Sequence, residues 1–245
     1  LMHFFSDGDV SEMLQLFERT IQTDPCSIYG YCNLGVMKGF NYEGSPDICR
    51  EGIRLLQYSI DMCTIRDKII IQSFLHHTIA QIHMRLGEMD EAFDATQYSL
   101  AANPEMNLAY LDRNAIFKVK QKWREALLDN NILINMDAEK PFERSNIYCN
   151  RALILNRLGQ KEEMREALIK SLEIDPGNSF AFAMLLKQTL IDRDIDTFEQ
   201  LRAAVDPKDQ LHIQLYLKHV SDSYEMLQKF PQAQQVKNLL TSFNN

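Results

Sequence analysis

The chain has 245 residues, a hydrophobic content of 45% and a formal net charge of −8 at pH 7. Nine glycines and seven prolines are too few for a turn-rich all-β protein, whereas the hydrophobic content suits a packed helical one. The acidic balance argues against nucleic acid as the main partner, because phosphate contacts need a basic surface.

The first predicted helices cover Ser11–Thr23, Ile28–Lys38 and Pro46 to about Cys63, with apolar residues at helical spacing. Between the last two, an aromatic insertion at Phe40–Pro46 replaces the short turn found elsewhere. Because of it, Gly35 and Gly52 are seventeen residues apart, where other helix pairs show a step of twelve. This insertion is either a binding loop or a loop folded back over its own helix pair.

The central stretch from Gln72 to Pro104 predicts two amphipathic helices joined by a tight turn at Leu86-Gly87-Glu88. Ala80 and Ala92 are small residues at the expected helix crossing. The second helix should end at Asn103-Pro104, because proline has no N–H and disfavours helix in the residue before it. Residues 64–71 are expected to add one helical turn before this pair.

Further helices are predicted at 107–120, 123–136 and across the two-helix segment 145–175, which follows a short linker at Pro141. A first helix at 180–191 and a short second helix ending at Pro207 come next. Segments 211–230 and 231–243 predict a last, degenerate pair that caps the array, since the outer face of a terminal repeat meets water.

The helix pairs repeat with a period of about 34 residues. Gly87 and Gly159 each lie seventeen residues before a proline, and Ala80 and Ala152 each lie twenty-four before one. With Tyr31-Cys32-Asn33-Leu34-Gly35, Leu86-Gly87-x4-Ala92 and Ile174-Asp175-Pro176, the chain resembles the tetratricopeptide repeat (TPR) family. The resemblance implies an all-α, right-handed α-solenoid of about six to seven repeats in one domain, degenerate at its C-terminus.

The repeats implied are a partial one at 1–25, full ones at 28–63, 72–104, 107–138 and 145–178, and degenerate ones at 179–207 and 211–245. In the family, the first helix of each repeat lines a concave groove that grips an extended peptide or a partner's helix. By register, the groove residues are Asn33, Phe74, His77, Thr78, Gln81, Arg85, Leu108, Asp112, Asn146, Asn150, Leu153, Arg157, Phe180 and Lys187.

Arg85, Asn150 and Arg157 are expected to contribute most to recognition. Arginine suits carboxylate and backbone groups through its planar fork of donors, and asparagine both donates and accepts. The alternative is that the arginines pair with acids such as Asp112 and only solvate the groove. Chaperone-binding members of the family bind a terminal carboxylate with a clamp of lysines and asparagines. That clamp is absent here: Asn33 is kept, but Cys32 and Val36 occupy the positions of the matching lysine and asparagine.

Metal, cofactor and catalytic sites are not predicted. His76 and His83 are about 10.5 Å apart along a helix, too far to share one metal, and their register favours core substitutes for aromatic residues such as Tyr31 and Tyr148. The five cysteines form no C-x-x-C pair, so neither a disulfide framework nor a zinc site is expected. No nucleophile elbow or phosphate loop is present.

The leading hypothesis is a non-catalytic scaffold that binds another protein or a peptide, without nucleic acid, cofactor or membrane insertion. A regulatory or targeting segment of a larger enzyme, such as a transferase, is the alternative, and a repeat-mediated homodimer stays open. A reducing, cytoplasmic location is expected from the unpaired cysteines. Because Leu1 begins in mid-helix pattern, the chain is expected to be part of a longer protein.

Overall fold

A computed structural model describes residues 7–40, 45–63, 68–136 and 140–192, together with Gln234 and Asn238. All regular structure in these ranges is helical, in ten α-helices and one π-helical turn, which confirms the all-α prediction. The helices are α1 Asp7–Thr23, α2 Ile28–Gly39, α3 Pro46–Met62, α4 Ser73–Leu86, α5 Met89–Ala102, α6 Asn107–Val119, α7 Trp123–Asn135, α8 Pro141–Leu158, α9 Lys161–Ile174 and α10 Ser179–Ile191.

Most predicted helix boundaries agree with these bounds to within a residue or two. Two helices begin four residues earlier than predicted, α1 at Asp7 and α8 at Pro141, where proline fits the first helical turn. The extra turn expected before the central pair is the π-helical turn Lys68–Gln72. The predicted helices beyond residue 192, and most of the aromatic insertion, lie outside the described residues.

Left-handed residues end three of the first helices. Gly87 after α4 and Gly159 after α8 have φ values of 77° and 76°, and both are open enough that glycine is needed only for its conformation. The turn between α6 and α7 has no glycine, and Gln121 takes the positive φ there, at 56°. These caps let a second helix return antiparallel to the first within three or four residues.

The chain divides into two compact units between Asp129 and Asn130, and the assignment of all repeats to one domain remains a prediction. In the first unit, α2 pairs with α3 and α4 with α5, and α4 also contacts α2 and α6. Its core contains Leu56, Leu75, Ile82 and Ile116, all completely or almost completely buried.

Small residues set the closest helix approaches in the first unit. Ala80 and Ala92, predicted at the crossing of α4 and α5, are both 0% exposed. Between α2 and α3 the approach is closer still, because Gly52 faces the backbone of Gly35 and Gly39. A Cβ at Gly52 would lie 2.5 Å from the Gly39 nitrogen, so only glycine fits there.

In the second unit, α8 pairs with α9, and α10 packs on α9. Ile154, Leu155 and Leu168 fill the core. A buried polar cluster ties the three helices together. The Ser145 hydroxyl lies 2.8 Å from that of Ser171, and the Asn178 amide donates to the Ser145 oxygen at 2.9 Å.

Candidate partner-binding face

The predicted groove residues lie on α2, α4 and α6 in the first unit and on α8 and α10 in the second. We call these the first helices, and their groove-register side chains the first-helix face of each unit. In the first unit the three first helices are neighbours, because α4 contacts both α2 and α6. Each unit therefore presents its own candidate surface.

Every first helix begins with an exposed apolar side chain at its second residue. Tyr29, Phe74 and Leu108 are 76%, 49% and 41% exposed in the first unit, and Phe142 and Phe180 are 63% and 44% exposed in the second. We call these five residues the apolar edge. Because burying an aromatic or leucine side chain is favourable by about 1.5–3 kcal/mol, their exposure leaves a surface suited to a partner.

The groove floor of the first unit is closed by a histidine–aspartate contact. His77 Nδ1 lies 2.5 Å from an Asp112 carboxylate oxygen, and the two residues are only 5% and 8% exposed. Thr78 is buried as well and donates to the Phe74 carbonyl. These three residues were predicted to line the groove, and the structure buries them: His77 bonds Asp112 between α4 and α6, whereas Thr78 bonds the main chain of its own helix.

Other predicted groove residues of the first unit are more accessible. Arg85 is exposed, and its guanidinium carbon lies 5.5 Å from the centroid of the Phe40 ring. Gln81 is half-buried, and Asn33 is exposed with its amide donating to the Tyr29 carbonyl. The Asp112 carboxylate that was considered as an arginine partner contacts His77.

In the second unit, the predicted groove residues include two cations, one on each first helix. Arg157 is exposed at the end of α8, and Lys187 is half-buried on α10. Burial, reinforced by the charge of Arg157, lowers the pKa of Lys187. Asn150 and Leu153 are half-buried, about two turns and one turn before Arg157 respectively, and Asn146 accepts a hydrogen bond from Asn178.

The remaining histidines of the central pair make two different contacts. His76 is half-buried with its ring 5.4 Å from that of Tyr98, and desolvation lowers its pKa, as suits the predicted aromatic substitute. His83 differs from that prediction, because its Nδ1 lies 2.7 Å from Glu88. A hydrogen bond from Arg50, and to a smaller extent one from His83, lowers the pKa of Glu88. These three residues link α3 and α4 to the residue that precedes α5.

The described residues contain no group of three or more histidine, cysteine or carboxylate side chains placed to hold a metal ion. Cys149 is buried, and desolvation raises the pKa of its thiol to about 11, so it is protonated at neutral pH. Within the same ranges, no helix combines the length and apolar character needed to span a bilayer.

Sequence reasoning missed the buried serine pairs. Ser73 and Ser99 join α4 to α5, with hydroxyl oxygens 3.2 Å apart, as Ser145 and Ser171 join α8 to α9. In each pair the serine of the second helix also lies within hydrogen-bond distance of the main-chain carbonyl of the other serine, to which its hydroxyl donates. The signal was present as a serine-to-serine spacing of 26 residues that occurs twice at equivalent repeat positions.

Comparisons with known proteins match one segment of the chain to a family and match its structure to a known fold. Residues 145–178 match the tetratricopeptide repeat family, and no curated protein sequence matches the chain significantly. Among solved structures, a TPR repeat-containing protein from Cytophaga hutchinsonii, crystallised as its C-terminal part, is 12% identical with a TM-score of 0.67. That match covers 96% of this chain and 90% of the other.

Two further structures have the same fold. MamA is 18% identical with a TM-score of 0.57, over 69% of this chain and 90% of that one. YrrB, described as a TPR protein with an unusual peptide-binding site, is 13% identical with a TM-score of 0.54, over 77% of this chain and 91% of that one. At these identities the likeness concerns the fold.

Proposed function

We propose that this chain is a tetratricopeptide repeat protein that acts as a non-catalytic scaffold and binds a peptide or partner protein on its first-helix face. The apolar edge carries this proposal. Each of the five first helices exposes an apolar residue at its second position, and Tyr29, Phe74, Leu108 and Phe180 are also equivalent by repeat register. Isolated exposed apolar residues are ordinary, but their repetition at one end of the neighbouring helices α2, α4 and α6 supports a partner surface in the first unit.

The polar part of the face supports recognition of a main chain. Arg85 and Arg157 occupy equivalent places near the C-terminal ends of α4 and α8, and Asn150 lies two turns before Arg157. Arginine and asparagine side chains bind carbonyl and carboxylate groups through directional hydrogen bonds. Peptide binding is also the property for which YrrB, a protein of the same fold, is described.

A pull-down from native cell extract with mass spectrometry tests this function. The wild-type chain is compared with Phe74→Ser combined with Leu108→Ser, which removes two neighbours of the apolar edge. The matched control is Leu128→Ser, a substitution at a 63% exposed leucine on the second helix α7. Specific partners should be lost by the double variant and kept by the control, with melting curves nearly unchanged.

The polar residues are tested on the same partner by Arg157→Glu with Asn150→Ala. We expect weaker binding, because both a cation and a main-chain donor are lost. Full binding by both double variants, Phe74→Ser/Leu108→Ser and Arg157→Glu/Asn150→Ala, would place recognition outside the first-helix face and contradict the proposal.

A further inference from the structure

The charges of this chain are divided between its two classes of helix. The first helices contain eight lysines and arginines against two acidic residues: Lys38, Arg85, Arg113, Lys118, Arg144, Arg151, Arg157 and Lys187, against Asp112 and Glu143. The alternating helices α1, α3, α5, α7 and α9 contain sixteen acidic residues against seven cations. The second helices therefore carry a net charge of −9, whereas the first helices carry a net charge of +6.

Some first-helix cations serve the contact between helices. Lys38 bonds Glu51 on α3 at 2.8 Å, and Arg113 bonds Asp129 on α7 at 2.6 Å. The single acidic residue of the first helices in the first unit, Asp112, contacts His77 on the groove floor. At the groove register, the charges toward the C-terminal ends of the first helices are thus positive: Arg85 in the first unit, Arg157 and Lys187 in the second.

In the second unit two of these cations lie on the first helices α8 and α10. Lys187 is half-buried, and desolvation, followed by the charge of Arg157, lowers its pKa. Two like charges near each other on a partly desolvated surface are unfavourable, and an anionic group between them offsets that repulsion. An arginine fork binds a carboxylate, the anionic group of protein side chains, through two parallel hydrogen bonds.

The cationic positions share helices with the apolar edge. On α10, Phe180 and Lys187 are seven residues apart, which is two turns or about 10.5 Å along the axis. On α4, Phe74 and Arg85 are eleven residues apart, or about 16.5 Å. Each unit therefore combines an apolar end and a cationic end across one face.

We propose that the first-helix face binds an acidic, amphipathic segment of a partner protein. In the second unit its carboxylates face Arg157 and Lys187 while its apolar side chains cover Phe180. The first unit offers the same pairing through Arg85 and Phe74. This inference rests on the proposed scaffold function and names the chemistry of the partner. Acidic second helices repel such a segment, so the charge division also selects the face on which it binds.

Three synthetic peptides of equal length test the inference on the full chain by fluorescence anisotropy. One alternates apolar residues with glutamate in amphipathic order, the second replaces each glutamate by glutamine, and the third replaces it by lysine. We expect the glutamate peptide to bind about tenfold more tightly than the glutamine peptide, through several weak charge pairs, and to lose affinity as salt rises. Equal binding of the first two, or preference for the lysine peptide, overturns the inference.

Charge reversal then locates the site. Arg157→Glu should weaken the glutamate peptide at least about fivefold and leave the glutamine peptide unchanged. Arg54→Glu, an exposed residue of the second helix α3, changes the net charge equally and should have no effect. Arg157→Gln gives a second, milder variant, and melting curves confirm that all three are folded. Equal weakening by Arg54→Glu would show a general charge effect and contradict the site.

The outcome separates this inference from the scaffold function. If no peptide binds, while a native partner is lost by Phe74→Ser with Leu108→Ser, the face binds a partner of other chemistry and only the acidic inference fails. If native partners respond to neither the apolar nor the charged variants, both proposals fail.

Discussion

Several buried polar side chains in this protein join one helix to the next. His77 with Asp112 joins two first helices, and the serine pairs join a first helix to its second. Asn114 on α6 makes a similar contact. Its amide donates to the Ala126 carbonyl of α7 at 2.6 Å, at the helix crossing where α4 and α5 have Ala80 and Ala92. A buried polar group costs free energy unless it is bonded, so each pair fixes the register of two helices.

The histidine–aspartate contact should couple the two first helices energetically. We expect Asp112→Ala and His77→Ala each to lower the free energy of unfolding by about 1–3 kcal/mol, because each leaves a buried polar partner unsatisfied. In the double variant the losses should not add, with a coupling of about 0.5–3 kcal/mol. Urea denaturation of the four proteins measures this.

Glu173→Ala provides the control for that cycle. Glu173 pairs with Lys170 at 2.8 Å on the exposed side of α9, where ion pairs contribute under about 1 kcal/mol. A coupling near zero between His77 and Asp112 would mean that their contact does not hold α4 to α6 in solution.

At the scale of elements, the turns between paired helices follow one geometry with two kinds of residue. Glycine takes the left-handed position after α4 and α8, and Gln121 takes it after α6. A side chain at positive φ costs about 1–2 kcal/mol, whereas glycine loses about 0.5–1 kcal/mol of entropy on folding. Exchanging the residue type should therefore change the stability in opposite directions at Gly87 and at Gln121.

Gly87→Ala should destabilise the protein by about 1 kcal/mol or more, and Gln121→Gly should stabilise it by about 0.5–1 kcal/mol. Space plays no part at Gly87, since a Cβ there would meet no atom within 4 Å. Thermal melting of both variants gives the signs. Destabilisation by Gln121→Gly would show that the glutamine side chain makes contacts worth more than its backbone strain.

The crossing of α2 and α3 depends on glycine for space. In Gly52→Ala the new Cβ would lie 2.6 Å from the Gly35 carbonyl oxygen, so the two helices must separate. We expect a loss of about 1–3 kcal/mol. Gly30→Ala on α2 is the control, because its nearest neighbour is a flexible Ile21 side chain at 3.0 Å and alanine favours helix. Equal melting temperatures for both variants would contradict the tight crossing.

These elements also show how far sequence reasoning reaches. The 34-residue period and apolar spacing predicted the helices and the small residues Ala80 and Ala92, because both follow from local geometry. The environments of His77 and Asp112 did not follow, since register gives the face of a helix but not how closely the next helix covers it. The serine pairs escaped for a similar reason: a lone serine in a helix has no distinctive local pattern.

Among the described residues, the helices make their main contacts within one repeat or with an adjacent repeat. In the second unit α9 packs against α8 and α10, and in the first α4 packs against α2, α3, α5 and α6. Stability in such arrays is close to a sum of local terms, so loss of one end should leave the rest folded. Substitutions in one repeat should likewise act mainly on its neighbours.

Truncation after Asn178 tests this additivity and separates α10 from the cluster that precedes it. We expect a helical, cooperatively unfolding protein with a lower melting temperature, because α9 loses its cover but keeps α8. Truncation after Asp175 should cost about 1 kcal/mol more, since it also removes the Asn178 amide that donates to Ser145 and Asn146. Circular dichroism during urea unfolding compares the two, and a loss of helix throughout the first truncated protein would show that the repeats fold only as a whole.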